Sequence, residues 1–64
     1  MYLVTGLDSD GVTWYLNHRM TWAGISTARH FRLDEAERAI VTVCNRNRNL
    51  DRVDQVEPNM ERVK

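Results

Sequence analysis

Alternation of apolar and polar residues marks the start of the chain. Val12, Trp14 and Leu16 recur with a period of two, which is typical of a strand with one covered face. Residues 1–7 are rich in aliphatic, aromatic and β-branched types, and residues 8–11 read Asp-Ser-Asp-Gly, a turn-forming sequence. The pattern therefore predicts an antiparallel β-hairpin over residues 2–18.

A second period, of 3.6 residues, begins after residue 33. Apolar side chains recur at the spacing that places them on one face of a helix: Ala36, Ala39, Ile40, Val43 and Cys44. Asp34 and Glu35 occupy the first turn, where negative charge stabilises the positive end of the helix dipole. The spacing predicts a helix from about residue 33 to about residue 47.

The remaining segments carry weaker patterns. Residues 19–26 show neither period and predict a loop, although this loop contains Met20 and Trp22. Residues 27–31 favour a short third strand. Val53 and Val56 favour a very short last strand over residues 51–57, which Pro58 ends.

Together these elements predict an α+β fold. An antiparallel β-hairpin and one or two short strands form a single sheet that one α-helix covers on one face, in the order ββ(β)αβ. Residues 1–57 form a single small domain, and residues 58–64 are predicted to be a flexible C-terminal tail. The predicted core consists of Val12, Trp14, Leu16, Phe31, Ala36, Ile40, Val43 and Cys44.

Length and charge narrow the class of protein. The chain has 64 residues, which is enough for one core, and nine Lys and Arg residues balance nine Asp and Glu residues. This neutrality argues against a polybasic nucleic-acid binder. No apolar run reaches the roughly 20 residues of a membrane span, and no basic region precedes the first apolar residues. We therefore expect no membrane association and a cytoplasmic location.

The residues capable of chemistry favour structural roles. His18, His30 and Cys44 lack the close spacing that places two ligands on one metal, so we expect no metal. Cys44 is the only cysteine, and its place in the helical stripe predicts a buried, unreactive thiol. So small a domain also has little room for a water-excluding pocket. We expect neither an enzyme nor a cofactor.

The step between loop and helix resembles a known group of proteins. Ala28-Arg29-His30-Phe31, followed by Leu33-Asp34-Glu35-Ala36, is similar to the start of the helix in small proteins encoded by bacteriophages and prophages. Those proteins place a Ser or Thr cap where this chain has Arg32, so half of the capping box is missing here. The resemblance implies a bacteriophage or prophage accessory protein in a bacterial host cell.

Aromatic and arginine residues suggest two functions. Tyr15, Arg19 and Trp22 are candidates for a protein interface, because such residues dominate interface centres. The partner is a host protein, such as an enzyme or a defence complex that the chain inhibits, or a second copy in a homodimer. Trp22 also suits a plug at the open end of the core. The alternative is a small nucleic-acid-binding module that uses arginines at Arg29, Arg32, Arg46, Arg48 and Arg52.

Overall fold

A computed structural model describes residues 1–63 of the chain. It contains a four-stranded antiparallel sheet and one α-helix, which confirms the predicted α+β class. The order of strands across the sheet is β3-β2-β1-β4, so that the first and last strands are neighbours. The elements are β1 (Tyr2–Leu7), β2 (Thr13–Leu16), β3 (Trp22–Ala23), α1 (Leu33–Asn47) and β4 (Glu57–Arg62).

The two hairpins β1–β2 and β2–β3 have turns of the same design. In the first turn the Asp8 Oδ1 atom accepts the N–H groups of residues 10 and 12, and in the second the Asn17 Oδ1 atom accepts those of residues 19 and 21. Each turn needs one residue with positive φ, which is Gly11 at 80° and Met20 at 61°. Met20 adopts this unfavourable conformation while its side chain packs against the core.

The helix has the predicted bounds, and its first turn shows why it starts there. The Glu35 carboxylate accepts the backbone N–H of Arg32 at 3.1 Å, which is one half of a capping box. The guanidinium of Arg32 has no acceptor atom and cannot supply the other half. Phe31, just before the cap, is buried together with Ala36 in the core. The helix start therefore relies on Glu35 and on packing.

The core lies between the sheet and α1. Six side chains are fully buried there: Val4, Leu16, Phe31, Ala36, Ala39 and Val43. Around them pack half-buried residues, namely Tyr2, Met20, Trp22, Ile40 and Met60. The prediction is confirmed for Leu16, Phe31, Ala36 and Val43.

Three predicted core residues are exposed, so the prediction is wrong for them. Val12 belongs to the turn before β2 and is 46% exposed. Trp14 is 37% exposed, because Trp22 and Val56 occupy the space above Gly6 beside it. Cys44 is exposed because the buried stripe of α1 is narrower than its apolar pattern suggests.

The C-terminal part of the chain differs from the prediction. Residues 52–54 form a turn of 3-10 helix instead of a strand, and the strand lies later, at residues 57–62. The predicted domain boundary at residue 57 is therefore wrong, and the predicted flexible tail over residues 58–64 is wrong for residues 58–62; residue 64 lies outside the described residues. The N–H of Val63 also donates to the carbonyl of Met1 at 2.9 Å. Residues 27–31 form no strand beyond a single bridge between Phe31 and Tyr2.

Candidate interaction surface on the open face of the sheet

The register of the strands determines which residues lie on the face of the sheet that points away from α1. Residues directly opposite each other in a ladder share a face, and Tyr15 lies opposite Thr5 and Ala23. Val4 and Leu16, at the alternate positions, are buried against the helix. We call the other set the open face; it consists of Leu3, Thr5, Leu7, Thr13, Tyr15, Ala23, Glu57, Asn59 and Glu61.

Three large apolar side chains lie on the open face: Tyr15 lies opposite Thr5 near the middle, and Leu3 and Leu7 lie towards the two ends of β1. Leu3 and Tyr15 are half-buried, and Leu7 is 47% exposed. The chain's only long helix among residues 1–63 packs on the other side of the sheet. Large apolar side chains therefore remain in contact with water at this face.

The charges on the open face have one sign. Glu57 and Glu61, both on β4, lie opposite Leu7 and Leu3. None of the nine open-face positions carries an Arg or a Lys. The face therefore combines apolar residues on β1 and β2 with an acidic margin along β4.

The edges of the sheet are poorly suited to pairing with another strand. Because Val63 bonds to Met1, the alternate residues of β4, namely Pro58, Met60 and Arg62, direct their backbone groups outward. Proline has no N–H, and the N–H of Met60 donates to the Asn59 side chain at 2.8 Å. At the other edge β3 has only two residues. Short, proline-containing edges are typical protection against strand addition.

The structure separates the three residues of the predicted interface. Tyr15 lies on the open face, and Arg19 is exposed in the turn between β2 and β3. Trp22 lies opposite Leu16, which places it on the helix side of the sheet. The prediction of a single surface containing both Tyr15 and Trp22 is therefore wrong, because the pattern of residues 19–26 predicts a loop where the chain forms β3.

Trp22 packs against the core instead. A Cβ atom built on Gly6 would lie 2.7 Å from the indole ring, so the ring rests directly on the backbone of β1. Trp22 is half-buried and contacts the buried cluster. This position agrees with the alternative in which Trp22 plugs the core.

The five arginines of the nucleic-acid hypothesis are divided between two regions. Arg29 forms an ion pair with Glu35 at 3.0 Å and stacks on Phe31, near the start of α1. Arg32 occupies the N-cap position at the same end of the helix without a side-chain cap. Arg46 donates to the carbonyl of Met20 at 2.9 Å, near the helix end, where Arg48 and Arg52 also lie. The two regions are about 20 Å apart along a helix of 15 residues.

An open cleft of about 620 Å³ lies where α1 ends beside the first turn. Arg48 and Arg52 line it together with Asp8, Glu57 and the exposed Cys44. A hydrogen bond from the Trp14 indole, followed by one from the Val12 N–H, lowers the pKa of Asp8 below its ordinary value. The cleft therefore contains charges of both signs.

Over residues 1–63, His, Cys, Asp and Glu side chains do not come together in any group of three or more that would hold a metal ion. Within the same residues, no helix combines the length and apolar character that crossing a membrane requires. Comparisons of the chain with models of known families, with curated proteins and with solved structures give no match.

Proposed function

We propose that the chain is a non-enzymatic binding module that associates with another protein through the open face of its sheet. One observation carries the proposal, which is that the helix-free face of the sheet presents Leu3, Leu7 and Tyr15 while both sheet edges are poorly suited to pairing. The proposal keeps the role of a bacteriophage or prophage accessory protein that binds and inhibits a protein of its bacterial host. Of the three residues predicted for the interface, the proposal keeps Tyr15 and leaves out Arg19 and Trp22.

The composition of the open face supports a protein as the partner. Tyr15 presents an aromatic ring with a polar tip, a side chain that is enriched in the centres of interfaces. Its neighbours are aliphatic or small, which suits close packing. The carboxylates of Glu57 and Glu61 would repel phosphate groups, so this face does not favour nucleic acid.

The test compares two substitutions of exposed residues by lysine. Tyr15→Lys places a charge in the middle of the open face, whereas Val41→Lys places one on α1, where Val41 is 57% exposed. Bacterial proteins that co-purify with the wild type and with Val41→Lys, but not with Tyr15→Lys, are candidate partners. Each is then purified and titrated by calorimetry against all three forms of the chain.

We expect Tyr15→Lys to weaken binding by about 2 kcal/mol or more, and Val41→Lys to bind as the wild type does. Circular dichroism of both variants verifies that the fold is retained. Equal binding of a purified partner by Tyr15→Lys and by the wild type would contradict the proposal.

A further inference from the structure

The size of the open face limits what it can bind. Four strands about 4.8 Å apart, the longest of six residues, give a surface of roughly 300 Å². A stable dimer of two folded domains needs about 800 Å² from each partner. Face-to-face pairing of two copies through these nine residues alone is therefore too small for a stable homodimer, and the same limit makes any partner held by this face alone a weak, transient one.

A single helix matches the open face in size. On the opposite side, the same sheet accommodates the 15 residues of α1. An α-helix is about 10–12 Å wide with its side chains, so one helix spans two to three strands. The blocked edges make an added strand a poor alternative.

The negative charges of Glu57 and Glu61 favour a partner helix that carries basic residues. Glu57 and Glu61 border the apolar residues on the β4 side, and none of the nine open-face positions carries a cation, although Glu57 also lines the cleft that contains Arg48 and Arg52. A second copy would bring the same two carboxylates and nothing on that face to neutralise them. Basic residues beside an apolar stripe would complement both features of the surface.

Building on the proposed function, we propose that the occupant of the open face is an amphipathic helix of a partner protein, with an apolar stripe bordered by Lys or Arg. The stripe packs on Leu3, Leu7 and Tyr15, and the basic residues lie over Glu57 and Glu61. The bound complex then has three layers, with the sheet between α1 and the partner's helix.

The test uses two synthetic helical peptides of 15 residues that share one leucine stripe. One peptide carries lysine on both sides of the stripe and the other carries glutamate. Each is titrated into the ¹⁵N-labelled full chain, and amide shifts are followed by NMR. We expect the lysine peptide to shift the amides of Leu3, Thr5, Tyr15 and Glu61.

We expect the lysine peptide to bind about three- to tenfold more tightly than the glutamate peptide at low salt. The preference should shrink in high salt, which screens exposed charges. Glu57→Gln combined with Glu61→Gln should remove it. Asp51→Asn combined with Asp54→Asn is the matched control, since it removes two exposed carboxylates away from the sheet and should keep the preference.

The outcomes separate this inference from the proposed function. Equal binding of both peptides at the open face overturns the basic helix and leaves the binding face standing. Shifts confined to α1 overturn both proposals. A dimer at micromolar concentration, dissociated by Tyr15→Lys in analytical ultracentrifugation, overturns the helix and supports a second copy as the occupant.

Discussion

The indole ring of Trp22 packs directly against Gly6, where the absence of a side chain leaves room for it. A Cβ atom built on Gly6 would lie 2.7 Å from the ring. Trp22→Ala removes this contact, and we expect the free energy of unfolding to fall by about 2–4 kcal/mol. That loss is large beside the roughly 5 kcal/mol expected of so short a chain. Urea denaturation measures it.

Trp14→Ala is the comparison, because the exposed Trp14 contributes chiefly a hydrogen bond to Asp8 at 2.7 Å. We expect a loss of about 1 kcal/mol there. A larger loss in Trp14→Ala than in Trp22→Ala would restore the arrangement predicted from the alternating pattern.

A substitution at Gly6 also tests the contact between Trp22 and Gly6. A methyl group at this position would collide with the Trp22 ring and with Val56, so we expect Gly6→Ala to cost about 1–3 kcal/mol of stability. Gly24→Ala is the matched control, because nothing lies within 4 Å of a Cβ atom built there. Thermal melts of both variants suffice, and a Gly6→Ala melting temperature equal to that of Gly24→Ala would exclude the close contact.

Asp8 makes the first turn sensitive to acid. Its lowered pKa means that folding favours the ionised carboxylate, which accepts the indole N–H of Trp14 and the backbone N–H of Val12. This contribution is present above the ordinary pKa of 3.8 and is lost as the pH falls through the lower folded value.

Asp8→Asn should therefore flatten the decline in unfolding free energy as the pH falls below about 4. Asp10→Asn, in the same turn, serves as the control. Parallel pH profiles for wild type and Asp8→Asn, from urea denaturation at each pH, would show that Asp8 has no such role.

At the scale of the elements, helix α1 lacks a side-chain hydrogen bond at its N-cap. Arg32 offers no oxygen to the helix N–H groups, whereas a serine hydroxyl would accept one and complete the box with Glu35. We expect Arg32→Ser to stabilise the protein by about 0.5–1.5 kcal/mol, seen as a higher melting temperature. Arg32→Ala is the control, since it removes the guanidinium without supplying a cap and should not stabilise to the same degree.

An element could be predicted from the sequence only where its apolar residues recur with a regular period. Helix α1 was predictable because Ala36, Ala39 and Val43 recur at its period. Strand β4 was not, because it is a polar edge strand with Pro58 near its start, and its stability comes from pairing with β1. Strand β3 was hidden because Met20 occupies the turn position where glycine normally signals a hairpin.

The candidate surface was predictable to the same extent. Alternation along β2 correctly assigned Tyr15 to the face opposite Leu16, one uncovered by the helix. The acidic margin was not predictable, since it requires the register of β4 against β1. Trp22 could be assigned to a face only once β3 was known.

For the whole molecule, β4 decides whether the domain holds together. A chain ending at residue 56 lacks the strand that pairs along the full length of β1 and supplies Met60 to the core. We expect this chain to be unfolded by NMR and circular dichroism. A chain ending at residue 62 keeps the strand and should stay folded. If residues 57–62 had no structural role, both shortened chains would be folded.

The pairing of Tyr2 with Arg62 also has a consequence for biosynthesis. Strand β1 is synthesised first, and its neighbour β4 follows only after all the residues that separate the two strands in the sequence. Until then the nascent chain exposes one edge of β1, and the apolar face of α1 has an incomplete sheet to pack on. The domain therefore completes folding only after translation has passed residue 62, and we expect a stalled or truncated product to be recognised by chaperones and proteases.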